Sequence, residues 1–529
     1  MKYVFLASLV SPDTKKISSG LGIGYLAASL NSHGIGVILK NAITPDELAN
    51  SISKINNHHE LILVGLSLNI VSDIFLIKRA AKLLRSNGYL KTIVIGGHCA
   101  TILYEKLLTE IPEIDYLLMG EAEESIIKLV DTLHNHDDYH QVPGLAYRTE
   151  NGNINVSSRT CSVTDLDALP FPLRELEETR LLNPKITGIP IYSSRGCYGS
   201  CTFCSLKSFH RISSTKIWRA RSPVNVVEEM EFLFRCYGVA LFKIIDDNFI
   251  GPGKLGKRRA IGIAEEIIKR QLPINFIFGC RANDVSREEF ALLKRAGLQK
   301  VALGLESGVQ RALDFFNKRT SVSQNEEAIR ILRSLQIDCS EIGFIMFDPF
   351  VTIEELHENM EFIRRTRIYR YPNPYLTTRR LGILPGTPIE EMLLTRKLIK
   401  TRKSLADYMG ENLFSYPILD KRAAIVSTAM RLVESRYKEY LSVMEQFILD
   451  SQISPLEKKI FTDWHYMLGV VGLNIFSAAM EFIGDIKVIN QKQAIKKLNS
   501  AIAKKLDIFE ESHFGMVFKK YLHQYDYIN

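Results

Sequence analysis

At 529 residues the chain exceeds the size at which one hydrophobic core usually stops growing, so it should hold three or four domains. Its 46% hydrophobic and 24% charged residues are ordinary globular composition, which excludes a disordered tail or a low-complexity array. The formal charge of +8 is spread over small clusters, such as Lys254 to Arg259 and Lys400 to Lys403, so no long basic block points to nucleic acid.

The opening residues, Met1 to Leu6, turn polar at Ser11-Pro12-Asp13, too soon for a signal peptide's apolar core, and read as a strand. Over residues 1–140, apolar runs at Tyr3–Leu9, Gly36–Leu39, Leu61–Leu68, Thr92–Ile95 and Tyr116–Met119 alternate with helical stretches. Runs that are apolar on every side suit strands buried on both faces. The expected fold is a doubly wound, Rossmann-like α/β unit with five parallel strands, its ligand beyond their carboxyl ends.

Residues 141–188, punctuated by Pro143-Gly144, Asn151-Gly152, Pro170, Pro172 and Pro184, read as a linker. A second βα series fills 189–390, with runs at Ile189–Tyr192, Ala240–Ile245, Ile274–Phe278, Val301–Leu305, Ile342–Phe347 and Tyr375–Leu384. Six such units predict a partial (β/α)6 barrel with its reactive groups at the carboxyl ends of the strands. Residues 391–529 predict a separate helical domain, in which Trp464, Tyr466, Phe476 and Phe482 either form its own core or close over a substrate. Its most apolar stretch, Met467–Ile483, is interrupted by Asn474, Ser477 and Glu481 and falls short of a bilayer's roughly 20 residues, so a buried helix is expected rather than a membrane span.

Eight cysteines, of which five are scattered and three lie within eight residues, are not a disulfide framework and suit a reducing cytoplasm. The three fall just after the first barrel strand, in Gly196-Cys197-Tyr198-Gly199-Ser200-Cys201-Thr202-Phe203-Cys204. With the spacing Cys-x3-Cys-x2-Cys, Cys197, Cys201 and Cys204 can hold three irons of a cubane and leave the fourth open to another ligand. A structural zinc site wants four ligands, and the nearest candidate for a fourth, His210, stands outside finger spacing. Cys280 and Cys339 either face the barrel interior as hydrogen donors or are small buried hydrophobes.

This motif, with aromatic Phe203 before the third cysteine, resembles that of the radical S-adenosylmethionine (SAM) superfamily. The resemblance implies a [4Fe–4S] cluster whose open iron is chelated by SAM, and reductive cleavage of SAM to methionine and a 5′-deoxyadenosyl radical. It also implies an electron donor of flavodoxin or ferredoxin type. Asp246-Asp247-Asn248-Phe249 after the second strand resembles the stretch that receives the methionyl amine. Arg281 after the third strand and Glu306 after the fourth stand where SAM contacts are expected. Each of these charged groups, read alone, is equally an N-cap or an ion pair. Leu384-Pro385-Gly386-Thr387-Pro388 resembles a further feature of the group and physically is a stiff turn.

A doubly wound unit preceding such a barrel resembles the cobalamin-dependent branch. The landmarks that carry the likeness are Gly20 and Leu21 at the first helix, Ser67 and Asn69 after the third strand, Gly96-Gly97-His98 after the fourth, and Gly120-Glu121 after the fifth. Small residues there imply a slot for the cofactor's dimethylbenzimidazole tail. His98 either contacts that tail or caps the next helix. Gly20-x-Gly22 lacks the third glycine of a dinucleotide fingerprint, and Lys40-Asn41 stands where an acidic residue would follow, so a nicotinamide site is not expected. The loop Ser11 to Ser19 contains no histidine, and His33 sits at the end of the first helix, which implies cobalamin without a histidine on cobalt. The implied activity is methylation of an unactivated carbon of a small or medium-sized metabolite, with ring formation, ring contraction or oxidation as the alternative. No catalytic side chain is singled out, and no nucleic-acid partner or membrane span is expected.

Overall fold

The computed structural model describes residues 2–10, 20–55, 60–135, 138–157, 163–174, 188–214, 216–371, 373, 375–449, 455–484 and 491–511. The loop Ser11 to Ser19 and the side chain of Trp464 lie outside that description. Two compact units are formed, one by Met1–Pro184, Gly188–Leu272 and Ile383–Ser415, the other chiefly by Pro273–Gly382 and Tyr416–Asn529.

In the first unit the five N-terminal runs become β1 (Lys2–Leu9), β2 (Gly36–Ile43), β3 (Glu60–Ser67), β4 (Thr92–Gly96) and β5 (Tyr116–Leu118), all parallel. Side chains alternate across the strands, so Phe5, Ala7, Ile93 and Ile95 face one buried layer while Val4, Leu6 and Val94 face the other. The sheet has seven strands rather than five. Within the expected linker, β6 (Leu145–Arg148) and β7 (Ile154–Val156) extend it antiparallel, in the order β2-β1-β3-β4-β5-β6-β7. Asn151-Gly152, between two apolar stretches, is a hairpin turn and not loop punctuation, as the positive φ of Gly152 requires.

The second βα series starts in the same unit. There β8 (Ile189–Ile191) leads into an antiparallel hairpin, β9 (Ser194–Gly196) with β10 (Trp218–Ala220), and β8 pairs parallel with β11 (Leu241–Ile244). Residues 391–415 also belong to this unit and not to a separate helical domain: Leu405 and Tyr408 are buried in its core, and Leu405 N donates to Glu110 at 2.8 Å.

The second unit holds β12 (Asn275–Arg281), β13 (Leu298–Glu306) and β14 (Asp338–Phe344), parallel and flanked by helices. The expected sixth strand, Tyr375–Leu384, does not form. Asn373 takes over the local backbone, accepting from Tyr375 N at 3.1 Å and seeding a turn, and only Arg380 bridges to Phe347. Helices Lys421–Leu449, Pro455–Gly484 and Gln491–Glu511 pack in this unit with the helix Ile353–Thr366. The stretch Tyr466–Ile483 is long and apolar enough by composition to cross a membrane. Its Leu468, Ile475, Phe476, Ala479 and Met480 are nevertheless buried against protein, and Arg364 donates to Ser477 Oγ at 2.8 Å.

Candidate functional site

The cysteine loop leaves the β9 strand at Gly196. Gly199 N donates to Cys197 Sγ at 3.3 Å, and Cys204 N closes a turn on the Cys201 carbonyl at 3.2 Å. Cys201 is buried, while Cys197, Phe203 and Cys204 are half-buried. Burial pushes the Cys204 thiol up to about 12, and the nearby Cys201, Asp247 and Cys197 add to the effect. Such a donor set disfavours thiolates until a cation is supplied, as an iron–sulfur cluster does. Among the described residues no three His, Cys, Asp or Glu side chains converge on a single-ion site, whereas a cubane takes its thiolates at separate irons.

The structure gives the two neighbouring aspartates at the end of β11 different tasks. Asp246 accepts from Ser193 N at 2.7 Å, Ser193 Oγ at 2.5 Å and Ser194 Oγ at 2.7 Å, with the buried Arg259 3.6 Å away. Its carboxylate is thus consumed in bracing the strand that feeds the cysteine loop. Among the described residues Asp247 accepts only from Gly196 N, at 3.0 Å, and it faces the cavity described below. Many protein atoms surround it although the cavity leaves it solvent-accessible, and this desolvation pushes its carboxyl up to about 6.

Arg281 and Glu306 lie in the second unit, at the ends of β12 and β13. Lys318, which no sequence signal marks, serves both: its carbonyl accepts from Arg281, and its Nζ pairs with Glu306 at 2.8 Å. Glu306 holds a left-handed backbone at φ 67, a strain of the kind found at functional strand ends. Cys280 and Cys339, on β12 and β14, are buried thiols raised by burial.

A cavity of about 620 Å³ opens at the carboxyl side of the first sheet. Every cobalamin landmark lines it: Gly20, Leu21, Ser67, Asn69, Gly96, Gly97, His98, Gly120 and Glu121. Ser67 and Gly96 are register partners on β3 and β4, so their small side chains share one slot. Asn69 organises this slot, donating to Ser67 Oγ at 3.0 Å and accepting from His98 N at 3.1 Å. Gly97 has φ 114, and a Cβ there would lie 2.6 Å from Asn69 Oδ1. His98 starts the helix His98–Ile102, and its Nε2 reaches Ser205 Oγ at 2.8 Å while its ring stacks on Phe209 at 4.8 Å. Burial, followed by the nearby His210, lowers its pKa to about 4. His33 is exposed at the end of the first helix, bonded to the Ser29 carbonyl at 2.9 Å.

The same cavity is lined by Arg195, Gly196, Cys204, Ser205 and Asp247 of the cysteine loop and its supports. Charges tie the two walls together. Arg219 pairs with Glu121 at 2.6 Å, and Arg195 pairs with Glu123 at 2.6 Å and lies over the Tyr25 ring at 5.1 Å. Burial alone would raise Glu121, but the hydrogen bond from Arg219 and the charge of Arg195 outweigh it and hold the carboxyl low. Sequence reasoning misses the roles of Arg195 and Glu123. Their pairing spans 72 residues, and only the position of Arg195 two residues before Cys197 could flag it.

The radical SAM superfamily model matches residues 191–363. The chain belongs to that superfamily. The B12 binding domain model matches residues 13–130, which places the chain in the cobalamin-dependent part of the superfamily. A Pyrococcus horikoshii protein named as an uncharacterized methyltransferase is 27% identical over 391 residues, 72% of this chain and 80% of that protein. The anaerobic magnesium-protoporphyrin IX monomethyl ester cyclase of Rubrivivax gelatinosus is 30% identical over 351 residues, covering 65% of this chain and 61% of the cyclase. The solved structure of the cobalamin-dependent S-adenosylmethionine radical enzyme OxsB with aqua-cobalamin bound shares the fold, with a TM-score of 0.76 and 20% identity over 98% of this chain and 84% of that one.

The chain is thus a radical SAM enzyme whose cofactors are a [4Fe–4S] cluster, SAM and cobalamin, and a reductant and a small-molecule substrate are the partners typical of its family. The cavity suits the bulkiest of these groups. Among the described residues nothing lies within 4 Å of where a Cβ on Gly22 would stand, and Glu123 Oε2 is a buried acceptor with no hydrogen-bond partner, ready for a donor such as a corrin amide.

Proposed function

We propose that this chain methylates an unactivated carbon of a small or medium-sized metabolite. The observation that carries the reading is the single cavity into which both the cobalamin landmarks and the cysteine loop open. When bound, the cluster, SAM and cobalamin supply the radical and methyl-transfer chemistry.

The chain's own residues hold and orient these groups. Cys197, Cys201 and Cys204 bind the cluster, and Phe203 beside them contacts SAM. Asp247 receives SAM, and Asp246 supports it by bracing Ser193 and Ser194. Gly20, Leu21, Ser67, Asn69, Gly96, Gly97, His98 and Gly120 wall the cobalamin slot, while Glu121 and Glu123, paired with Arg219 and Arg195, keep that wall in register with the cysteine loop. Fixing two cofactors in one frame is the positioning on which such catalysis depends. We place the working division at 1–140 for the cobalamin-binding domain, 141–188 for a connecting segment that completes its sheet, 189–390 for the radical SAM domain, and the helices beyond as its companion. We assign the protein to the cytoplasm, where low-potential carriers keep a cluster reduced, and assign it no nucleic-acid partner.

The test is an anaerobic incubation of reconstituted, cobalamin-loaded protein with SAM carrying a deuterated methyl group and a fraction of cellular small molecules. Expected are 5′-deoxyadenosine and S-adenosylhomocysteine in matching amounts, together with a metabolite that gains the labelled methyl. The 30% identity to the cyclase favours a second reading, ring formation without methyl transfer. Deoxyadenosine with a new unlabelled product and no S-adenosylhomocysteine would establish that reading in place of the first.

A further inference from the structure

Ser208 and Gly386 are 178 residues apart in the chain, yet the Ser208 hydroxyl donates to the Gly386 carbonyl. The turn Leu384-Pro385-Gly386-Thr387-Pro388 is thereby seated on the helix Leu206–Ile212, which directly follows the cysteine loop. Gly386 has φ 71, and a Cβ there would lie 3.1 Å from Ile102 Cγ2 and 3.5 Å from Ser208 Cβ. A glycine lets the turn fit between that helix and the helix His98–Ile102.

The turn is stiff and continues into the helix Pro388–Thr395. Thr387 Oγ1 donates to the Leu384 carbonyl at 2.8 Å and accepts from Glu390 N at 3.4 Å, while Glu390 Oε2 accepts from Gly386 N at 2.7 Å. Backbone N–H groups in the first turn of a helix have no partner within it. That of Ile389, next to the proline that opens this helix, donates to the Thr202 carbonyl at 3.1 Å. Thr202 and Phe203 are the two residues inside the turn that Cys204 N closes on the Cys201 carbonyl. The peptide joining them separates two of the three thiols, so a donor that fixes its plane also fixes how those thiols are spaced and aimed.

We propose that Ile389 is a positioning residue for the cluster, its backbone N–H holding the Thr202–Phe203 peptide while the turn Leu384–Pro388 holds Ile389. The inference rests on the reading of Cys197, Cys201 and Cys204 as the cluster's ligands. The group that acts is a main-chain donor, which separates its contribution from the packing of the buried Ile389 side chain.

The test uses the full chain after anaerobic reconstitution and follows iron released to a chelator, with melting temperature and the electron paramagnetic resonance signal of the dithionite-reduced cluster measured alongside. Ile389→Pro removes the N–H in the first helical turn, where proline is tolerated. It should release iron about fivefold faster than the parent, the factor given by one hydrogen bond of ordinary net strength, and should broaden the signal. Ile389→Ala keeps the N–H and deletes the side chain, so its melting temperature should drop while iron release and signal stay parental. Ser208→Ala unseats the turn and should speed release about twofold, and it decides alone if Ile389→Pro does not fold. Parental release from both Ile389→Pro and Ser208→Ala overturns the proposal, as does release from Ile389→Ala that matches or exceeds that from Ile389→Pro. If the parent itself retains no iron, the cysteine assignment falls and the positioning role with it.

Discussion

His98 Nε2 and Ser205 Oγ stand 2.8 Å apart, joining the first residue of the helix after β4 to the residue that follows Cys204. The contact ties a side chain of the cavity wall to the cysteine loop, and Phe209 holds its ring in place from the adjoining helix. A ring so enclosed cannot accept a proton without losing this environment, which is why burial and then His210 keep its pKa near 4.

Stability should therefore fall in a defined window of pH. The unfolded histidine titrates near 6.5, so between about 6.5 and 4 the unfolded chain binds a proton that folded His98 does not. Its contribution is complete above the unfolded value and is lost as pH falls to the folded one. His210, also lowered by burial, adds to the same slope. Urea midpoints measured from pH 8 to pH 4 should decline less steeply in His98→Gln than in the parent, and parallel slopes would refute the coupling.

Gly97 tests the slot itself. With φ 114 and only 2.6 Å between the position a methyl group would take and Asn69 Oδ1, Gly97→Ala must displace the asparagine that carries Ser67 and His98. The strain costs about 1–3 kcal/mol. Melting temperature should drop, and cobalamin retained after gel filtration should fall below half of the parent's; full retention would mean that the ligand does not use this wall.

Much of this arrangement is legible in the sequence, and the exceptions have physical causes. The inner parallel strands β1, β3 and β4 announce themselves because both of their faces are buried, which writes continuous apolar runs such as Leu61–Leu68. Tyr375–Leu384, interrupted by Thr377, Thr378, Arg379 and Arg380, fails as a strand, and the side chain of Asn373 offers the backbone a turn instead. The cysteine triad needs only local spacing and is readable directly. Lys318, Arg195 and Glu123 are invisible because their roles depend on ion pairs with partners distant in the chain or on another strand end, as in the 98 residues between Glu121 and Arg219.

Asp246 and Asp247 should separate a brace from a ligand contact. Asp246→Asn leaves Arg259 buried without its anion, a loss of about 3–5 kcal/mol, and should lower both the melting temperature and the iron content. Asp247→Asn keeps the fold within about 1 kcal/mol of the parent, because the carboxylate accepts a single backbone N–H, yet should weaken SAM binding several-fold in equilibrium dialysis. The reverse pattern would exchange the two roles.

Cysteine replacements decide whether the loop holds the cluster. Cys197→Ala, Cys201→Ala and Cys204→Ala should each lose most of the iron found after anaerobic reconstitution, along with reductive SAM cleavage, because a cubane held at three corners is not retained at two. Cys280→Ala is the matched control. Its thiol is buried on β12 and kept protonated by that burial, so it is a packing group rather than a ligand. Iron content should stay at the parental level there, at a packing cost of about 1 kcal/mol read from urea unfolding. Iron lost equally from all four variants would show that the metal responds to general loosening of the fold and not to the three thiols of the loop.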